Sequence, residues 1–437
     1  MLLPSLLLAF GLALEPPPDV RPTGDSGIDL PATEPVSGAP PLGPVPKDDA
    51  DKRAEAPLDP AKTKWRPGTG LEVKSADGRY SLQFGLLAQL QAPIIHAPGQ
   101  DTTVDLTFRR ARIILGGNIF SPHILYKIQL TASPVELGWK NGAIGRSPIL
   151  DFYFTFDRVP DATFVVGQYK VPYNHQRMLR VTGMQFVDRS SANNEFTMDR
   201  DIGVDVRSKD VGGLGHLRYY LGAYLGNGIA IYGPSDPGFA YVGRVEVLPL
   251  GQYDDLEEGD YDRSKKPRML IGGAFAYIDR DPHDNHAFGG KIPADGGKTS
   301  TLNATADLQF RFAGLSLESA FFWREATRRT SGGAVDAMGM PIALVAPRNG
   351  LGWFAQGGYM LPRIPIEVGA RFGQVIAQGD GTQTSLADQD ELGGVVNYSF
   401  ARHMFKLQLD YLRLWNPAIY GIDHGTDQVR LQLQAWF

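Results

Sequence analysis

The sequence predicts an all-β protein, a transmembrane antiparallel β-barrel of 16 strands with a disordered N-terminal segment. Three observations predict it: polar and apolar residues alternate with period two, short and long connections alternate, and the last strand ends in Phe437. The mean hydropathy is −0.20, and no apolar run beyond the N-terminus approaches the ~20 residues that a membrane helix needs. Barrel strands average out as mildly polar, so a barrel fits this composition and a helical membrane protein does not.

The alternation runs through long segments. In 302–311, Leu302, Leu308 and Phe310 fall on one face, whereas Asp307 and Arg311 fall on the other. A soluble sandwich also alternates, but its strands usually have about 5–6 residues. Many runs here reach about 10–14 residues, and a tilted membrane strand needs about 9–11. The same pattern recurs in 80–91, 124–133, 150–157, 405–411 and 429–437.

The connections give a second test of the barrel. With both termini at the periplasmic end, the long connections fall on the extracellular side and the short ones on the periplasmic side, which is the barrel pattern. The acidic connection 250–267 is long and falls on the periplasmic side, where we expect a local insertion. The predicted strands are 80–93, 103–119, 124–133, 149–156, 162–171, 200–208, 214–226, 240–249, 268–278, 300–312, 315–327, 351–360, 365–377, 390–400, 404–415 and 427–437.

Three regions follow along the chain. Residues 1–14 read as the apolar part of a signal peptide, too short to span a bilayer and without a positive start. Residues 15–70 are rich in Pro and charge and bury too little apolar surface to fold, which indicates a disordered periplasmic segment. Residues 71–437 form the barrel. The location expected is the bacterial outer membrane, reached through the periplasm, in contact with outer-membrane lipid.

The last strand carries a recognition signal. Phe437 ends it in phase with the alternation, on the lipid side at the periplasmic rim. We therefore expect the barrel assembly machinery to bind the chain through Phe437.

Several segments resemble the phosphate-selective porin O and P family. They are Phe108-Arg-Arg-Ala-Arg-Ile113, Val166-Gly-Gln-Tyr-Lys-Val-Pro-Tyr173, Phe186-Val-Asp-Arg-Ser190, Arg200-Asp-Ile-Gly-Val204 and Tyr220-Leu-Gly-Ala-Tyr-Leu-Gly-Asn-Gly228, and the match continues in order to the C-terminus. After Val171-Pro the chain has Tyr173-Asn-His175, where the family has Phe-Gly-Leu. The resemblance implies a trimeric porin that passes phosphate, polyphosphate or other small inorganic anions along arginines in the pore.

Strand phase assigns cations to the lumen. The net charge is −5, but residues 65–437 have 37 bases and 38 acids, a net of −1, so selectivity must come from the placement of charges. The outward loop 172–199 is the longest and is expected to fold into the barrel. The candidate pore-lining and anion-binding residues are Arg109, Arg110, Arg112, Lys127, Lys170, Arg177, Arg180, Arg207, Arg218 and Arg244. For each of them, the alternative is an ion pair that only braces the wall.

The sequence leaves other functions open. A general or non-phosphate-selective porin, a plugged structural or adhesive barrel and a barrel enzyme are the alternatives, although no histidine has an evident catalytic partner. We expect no enzyme activity, catalytic residue, cofactor, metal site or nucleic-acid partner. His283-Asp-Asn-His286 could bind a metal, but it falls at a predicted loop tip, which favours a solvated tip.

Overall fold

The computed structural model describes residues 62–66, 70–140, 143–226, 228–229, 238–283, 292–330, 333–417 and 425–437. The predicted signal peptide and most of 15–70 lie outside these residues. Among the described residues, no helix is long and apolar enough to cross a membrane.

The described chain forms one antiparallel sheet that closes on itself. Sixteen of its strands form the barrel wall, and β1, β2 and β4 are short additions. The strands are β1 (Lys62–Arg66), β2 (Gly70–Lys74), β3 (Ser81–His96), β4 (Thr103–Val104), β5 (Thr107–Asn118), β6 (Ile124–Thr131), β7 (Ile149–Phe156), β8 (Thr163–Lys170), β9 (Arg200–Ser208), β10 (Leu217–Tyr224), β11 (Ala240–Val247), β12 (Arg268–Asp281), β13 (Gly297–Phe312), β14 (Leu315–Thr330), β15 (Gly350–Met360), β16 (Ile366–Ala377), β17 (Gln389–Ala401), β18 (Phe405–Trp415) and β19 (Thr426–Trp436).

The seam of the barrel joins its first and last strands. β19 pairs antiparallel with β3 from Leu87–Trp436 to His96–Asp427. Beyond the last residue of β19, Phe437 exchanges two backbone hydrogen bonds with Leu86, at 2.9 and 3.0 Å. The wall therefore has no open edge, which leaves no unpaired backbone to face lipid.

The barrel is polar inside and apolar outside, as the alternation predicts. On β13 and β18 the lumen-facing Gln309 and Gln408 are fully buried, whereas on the outer face Phe275 of β12 and Leu409 of β18 are about half exposed. An exposed apolar face this extensive is stable in lipid and would aggregate in water.

A short hairpin before the barrel differs from the prediction. β1 pairs with β2, and β2 pairs with the start of β3 through Leu71–Phe84 and Lys74–Ser81. β1 is therefore ordered although it lies in the segment predicted to be disordered. At Gly70 the backbone has φ +77°, and a Cβ would lie 1.9 Å from the carbonyl oxygen of Phe84, so only glycine fits this turn.

The remaining strands match the predicted ones closely. The main differences are a break at 105–106, which separates β4 from β5, and extensions of β12 to Asp281 and of β13 back to Gly297. Near the first break, Asp105 donates its backbone N–H to the carbonyl of Pro93 (3.1 Å) and accepts from the N–H of Leu106 on its side chain (2.7 Å). A local turn thus replaces the ladder there.

Candidate permeation pathway

The third outer loop, loop 3 (171–199), lies inside the barrel. It contains two short helices, α1 (His175–Met178) and α2 (Ser191–Phe196). The Ser190 hydroxyl accepts the backbone N–H of Asn193 and caps α2. Tyr173, Leu179 and Phe186 of the loop are fully buried, so the predicted infolding of this loop is confirmed.

Several contacts fix loop 3 to β14, β16 and β18. The Gln185 amide donates to Ser316 Oγ and to Glu367 Oε1, both at 2.7 Å, and Lys406 Nζ donates to the Met184 carbonyl at 2.6 Å. Phe196 stacks on Phe322, with ring centroids 6.0 Å apart. These partners belong to β14, β16 and β18, so the loop fills the lumen on that side.

The acidic connection (248–267), between β11 and β12, also folds into the lumen, from the opposite end. Arg180 of loop 3 donates its N–H to the Leu256 carbonyl (3.1 Å), and Glu258 donates its N–H to the Gly183 carbonyl (2.8 Å). The sequence predicts a local insertion here, and the structure adds that this insertion enters the lumen. This connection meets loop 3 and narrows the pore from the periplasmic side.

A buried ionic cluster joins the two connections to the wall. His175 of loop 3 is 1% exposed, with Nδ1 3.1 Å from Glu318 Oε1 and Nε2 3.4 Å from Asp255 Oδ2. Asp255 also accepts from Arg218 at 3.0 Å. Burial disfavours the imidazolium, but the hydrogen bonds to Asp255 and Glu318 outweigh it and raise the pKa of His175 to about 10.

The open part of the lumen lies on the other side, against β5–β10. We call it the side passage. It encloses about 600 Å³, and its charged lining comprises eight cations and three acids. The cations are Arg112, Lys127, Lys170, Arg180, Arg200, Arg207, Lys209 and Arg218, and the acids are Asp151, Asp254 and Asp255.

Each of the three acids has a cationic partner. Asp151 accepts from Arg200 Nε at 2.6 Å, Asp255 from Arg218 at 3.0 Å, and Asp254 from Arg180 at 3.0 Å. By contrast, Lys127 and Lys209 form no salt bridge within the described chain, although both line the passage. The side passage therefore has a clear excess of positive charge.

A second cavity, the inner vestibule, adjoins the side passage at the periplasmic end and encloses about 1260 Å³. Lys127, Arg180, Lys209 and Asp254 line both cavities. The passage and the vestibule thus adjoin each other beside the contact between loop 3 and the acidic connection.

The predicted site residues divide into two groups. Arg112, Lys127, Lys170, Arg180, Arg207 and Arg218 line the side passage. Of these, Arg112 bonds Glu136, Arg207 bonds Asp205, and Lys170 Nζ donates to the Leu179 carbonyl at 2.8 Å. These three side chains face the cavity and also form an ion pair or a hydrogen bond. The alternative that they brace the wall therefore holds in part.

The other four predicted residues do not line either cavity. Arg177 bonds Asp199 within loop 3, and Arg244 lies between Glu246 and Asp307 with its Nη1 2.9 Å from the Tyr173 carbonyl. Loop 3 covers Arg244, which strand phase alone places in an open lumen.

The remaining two, Arg109 and Arg110, converge on Asp188 of loop 3 at 3.2 and 3.1 Å, and Arg430 joins them at 3.2 Å. Burial alone would raise the pKa of Asp188, but the three guanidinium groups hold it far below its ordinary value. The basic cluster at 109–112 therefore anchors loop 3 through its first two arginines, and only Arg112 reaches the path.

Two lining cations of the side passage are absent from the predicted set. Arg200 starts β9, and Lys209 occupies the short turn after it. Arg200 could have been predicted as a lining residue, because it lies at the end of the longest loop, next to a strand. Nothing in the alternation distinguishes Lys209 from other turn residues. In the segment predicted to be a solvated loop tip, His283 Nδ1 lies 2.7 Å from Asp281 Oδ1, and His286 lies outside the described residues.

Comparisons with solved structures agree on the fold. The outer membrane channel DcaP of Acinetobacter baumannii is 13% identical, with a TM-score of 0.55 over 83% of this chain and 99% of that chain. An anion-selective porin from Comamonas acidovorans is 11% identical, with a TM-score of 0.52 over 82% of this chain and 100% of that chain. OprB of Pseudomonas putida is 12% identical, with a TM-score of 0.52 over 83% and 95%. No curated protein matches the chain.

The family comparison covers more than half of the chain. Residues 96–353 match the family described as phosphate-selective porin O and P. This range includes β5–β14, loop 3, the acidic connection and the entire cationic wall of the side passage. The chain is therefore an outer-membrane porin and belongs to the phosphate-selective porin O and P family.

Proposed function

We propose that the protein is a passive diffusion channel for small anions and that solutes cross through the side passage and the inner vestibule. The excess of cations over acids in the side passage carries the proposal. In a confined, partly desolvated lumen these charges raise the local concentration of anions and exclude cations.

The distribution of ion pairs also supports selectivity for anions. The acids of the side passage are each held by a cation, whereas Lys127 and Lys209 keep their charges available. A solute therefore meets ammonium groups that form no salt bridge in the described chain and carboxylates that are ion-paired. We infer that Lys127 has the larger effect on selectivity, because its strand position fixes it at the junction of the two cavities.

The cationic groups of the side passage suit phosphate or polyphosphate as the solute. Guanidinium offers its donors in a planar fork that matches two oxygens of phosphate, and Arg112, Arg200, Arg207 and Arg218 present this group along the passage. All four also bond carboxylates, so each contact with a solute is shared. Weak, repeated contacts favour passage over retention.

The open cavity favours a pore over a plugged adhesive barrel. Loop 3 and the acidic connection occupy the half of the lumen next to β12–β19, and the passage along β5–β10 stays open beside them. We accordingly propose a channel without catalytic activity.

Three further features belong to the proposal. The exposed apolar belt suits outer-membrane lipid, Phe437 at the periplasmic rim suits recognition by the barrel assembly machinery, and family membership supports a homotrimer. Residues 1–14 would act as the signal peptide and 15–61 as a periplasmic segment. Mass measurement of the purified protein in detergent tests the trimer, because a monomeric mass would contradict it.

Single-channel recording in planar bilayers tests the function. We expect a stable open conductance and, under a KCl gradient, a reversal potential on the anion-selective side. A closed barrel would contradict the pore, and a cation-selective reversal potential would contradict the anion pathway.

A further inference from the structure

Two arginines lie next to each other on adjacent strands in the wall of the inner vestibule. Arg268 of β12 and Arg311 of β13 are directly paired in the antiparallel ladder. Both side chains line the vestibule. Like charges at directly opposite positions repel each other, so this pairing costs stability unless an anion or an aromatic ring offsets the repulsion.

The hydrogen bonding of Arg311 is incomplete. Its side chain is buried, and Nη1 donates to the Asp254 carbonyl at 2.9 Å. Its Nε and Nη2 have no hydrogen-bond partner. Arg268 forms no salt bridge or hydrogen bond through its side chain within the described chain. Buried donors in native proteins nearly always have a partner, which indicates that Nε and Nη2 of Arg311 bind a group from outside the protein.

The acidic connection supplies a platform for the pair. The Tyr253 ring lies 5.8 Å from the guanidinium carbon of Arg268 and 5.6 Å from that of Arg311. Its hydroxyl donates to Gln309 Oε1 at 2.9 Å, which fixes the ring. An aromatic ring between two guanidinium groups holds both through cation–π contacts.

The nearby carboxylates have other partners. Asp254 lies 3.0 Å from Arg180 Nη1, and Glu257 lies 3.3 Å from His403 Nε2. Neither carboxylate forms a salt bridge with Arg268 or Arg311 in the described chain. Glu257 interacts with Arg311 as a charge but forms no salt bridge with it, and Arg311 Nε and Nη2 keep no hydrogen-bond partner in the described chain.

We propose that Arg268 and Arg311, both of which contact the Tyr253 ring, form a binding site for a phosphate-type oxyanion in the inner vestibule. The inference rests on the proposed anion channel and adds a retention site at its periplasmic mouth. An oxyanion with several oxygens can accept from both forks at once, whereas chloride offers no such geometry. Because Arg268 is the first residue of β12, at the periplasmic end, the site is reached from that side.

The test is block of the chloride current by inorganic phosphate in planar bilayers. The sequence contains no cysteine, so Asp101→Cys in the first outer loop gives a single thiol whose reaction with an impermeant reagent establishes channel orientation. Phosphate is added to the periplasmic side, and the half-blocking concentration is measured for the full chain. We compare R268Q/R311Q, R268K/R311K and the control R402Q, which removes one charge from the same vestibule beside Asp262.

We expect R268Q/R311Q to raise the half-blocking phosphate concentration at least tenfold for periplasmic addition. R268K/R311K keeps both charges and loses the forks, so we expect most of the block to be lost there too. R402Q should retain the wild-type value. Folding of each variant is checked by heat-dependent mobility on gels, and the lysine variant keeps the test valid if the glutamine variant fails to fold.

Three results would overturn the site: no periplasmic phosphate block in the wild type, an unchanged half-blocking concentration in both double variants, or an equal effect of R402Q. Failure of the proposed channel function appears separately. In that case the wild-type reversal potential would be cation-selective, whatever phosphate does.

Discussion

Reversing the charge of Lys127 should shift the ion selectivity of the pore. Lys127 lines both cavities and forms no salt bridge in the described chain, so Lys127→Glu changes the field of the path without breaking an ion pair. A sphere of about 600 Å³ has a radius of about 5 Å. At that distance one charge interacts with a monovalent ion by about 0.8 kcal/mol in water and by about 3 kcal/mol at an effective dielectric constant of 20.

The expected magnitude follows from these limits. Reversal changes the charge by two units, so the lower limit gives about 1.6 kcal/mol, or more than tenfold in the relative partition of chloride at low salt. The Debye length is ~3 Å at 1 M and ~10 Å at 0.1 M. At 1 M it is shorter than the radius of the passage, so most of the effect should disappear there.

The assay is the reversal potential under a KCl gradient, at 0.1 M and 1 M mean salt, for the wild type, Lys127→Glu and the control Lys265→Glu. Lys265 is exposed in the acidic connection and lines neither cavity, so it carries the same charge change outside the path. An unmoved reversal potential for Lys127→Glu at low salt would refute the pathway. An equal shift for Lys265→Glu would refute the local origin of the effect.

Three further predictions concern stability and assembly. Arg112→Glu places a second carboxylate against buried Glu136 and should lower the free energy of unfolding by about 3–5 kcal/mol, measured by the urea midpoint in detergent. Current noise should stay low between about pH 5 and 9. It should rise as acid protonates Glu257, whose pKa is about 2 because burial is outweighed by its hydrogen bond to His403, and again as base deprotonates His175, whose pKa is about 10. Deletion of Phe437 should reduce the amount of protein in the outer membrane more than it lowers the thermal stability of refolded barrels, measured by blotting and heat-dependent gel mobility.

The direction of the pH effects follows from linkage. A depressed carboxyl pKa gives stability that is present above the ordinary value and lost as the pH falls toward about 2. A raised histidine pKa gives stability that is full below the ordinary value near 6.5 and lost as the pH rises through about 10.

Matched variants check these three predictions. His175→Gln should remove the alkaline rise and keep the acid one, so an unchanged alkaline rise would contradict the role of His175. Arg79→Glu, outside the cavities, controls for Arg112, and equal destabilisation by both would argue against the buried pair. Phe437→Leu keeps an apolar end, and normal membrane levels of the deletion variant would disprove the assembly role.

The barrel wall could be predicted because its physics is local. A strand in lipid must turn alternate side chains to the hydrocarbon and to the lumen. The period of two, the strand lengths and the connection lengths therefore each indicate the topology. The infolding of loop 3 could be predicted from its length and its place as the third outer loop.

The ionic architecture of the lumen could not be predicted in the same way. Arg244 and Lys127 share the same strand phase, yet loop 3 buries the first between Glu246 and Asp307 and leaves the second beside the path. The acids of the acidic connection gave no sign that they turn inward, because their partners His175 and Arg218 are 80 and 37 residues away in the chain. Such pairings depend on tertiary contacts that no period in the sequence records.

Because loop 3 and the acidic connection meet inside the lumen, the width of the pore is not determined by the size of the barrel alone. The number of strands sets the circumference, but two connections that enter from opposite ends decide how much of the enclosed area conducts. Substitutions at their junction, such as those at Arg180 or Glu258, could widen or narrow the channel while every strand and its register stay the same. Members of one barrel architecture could thus differ greatly in solute size without any change in the part of the protein that meets the membrane.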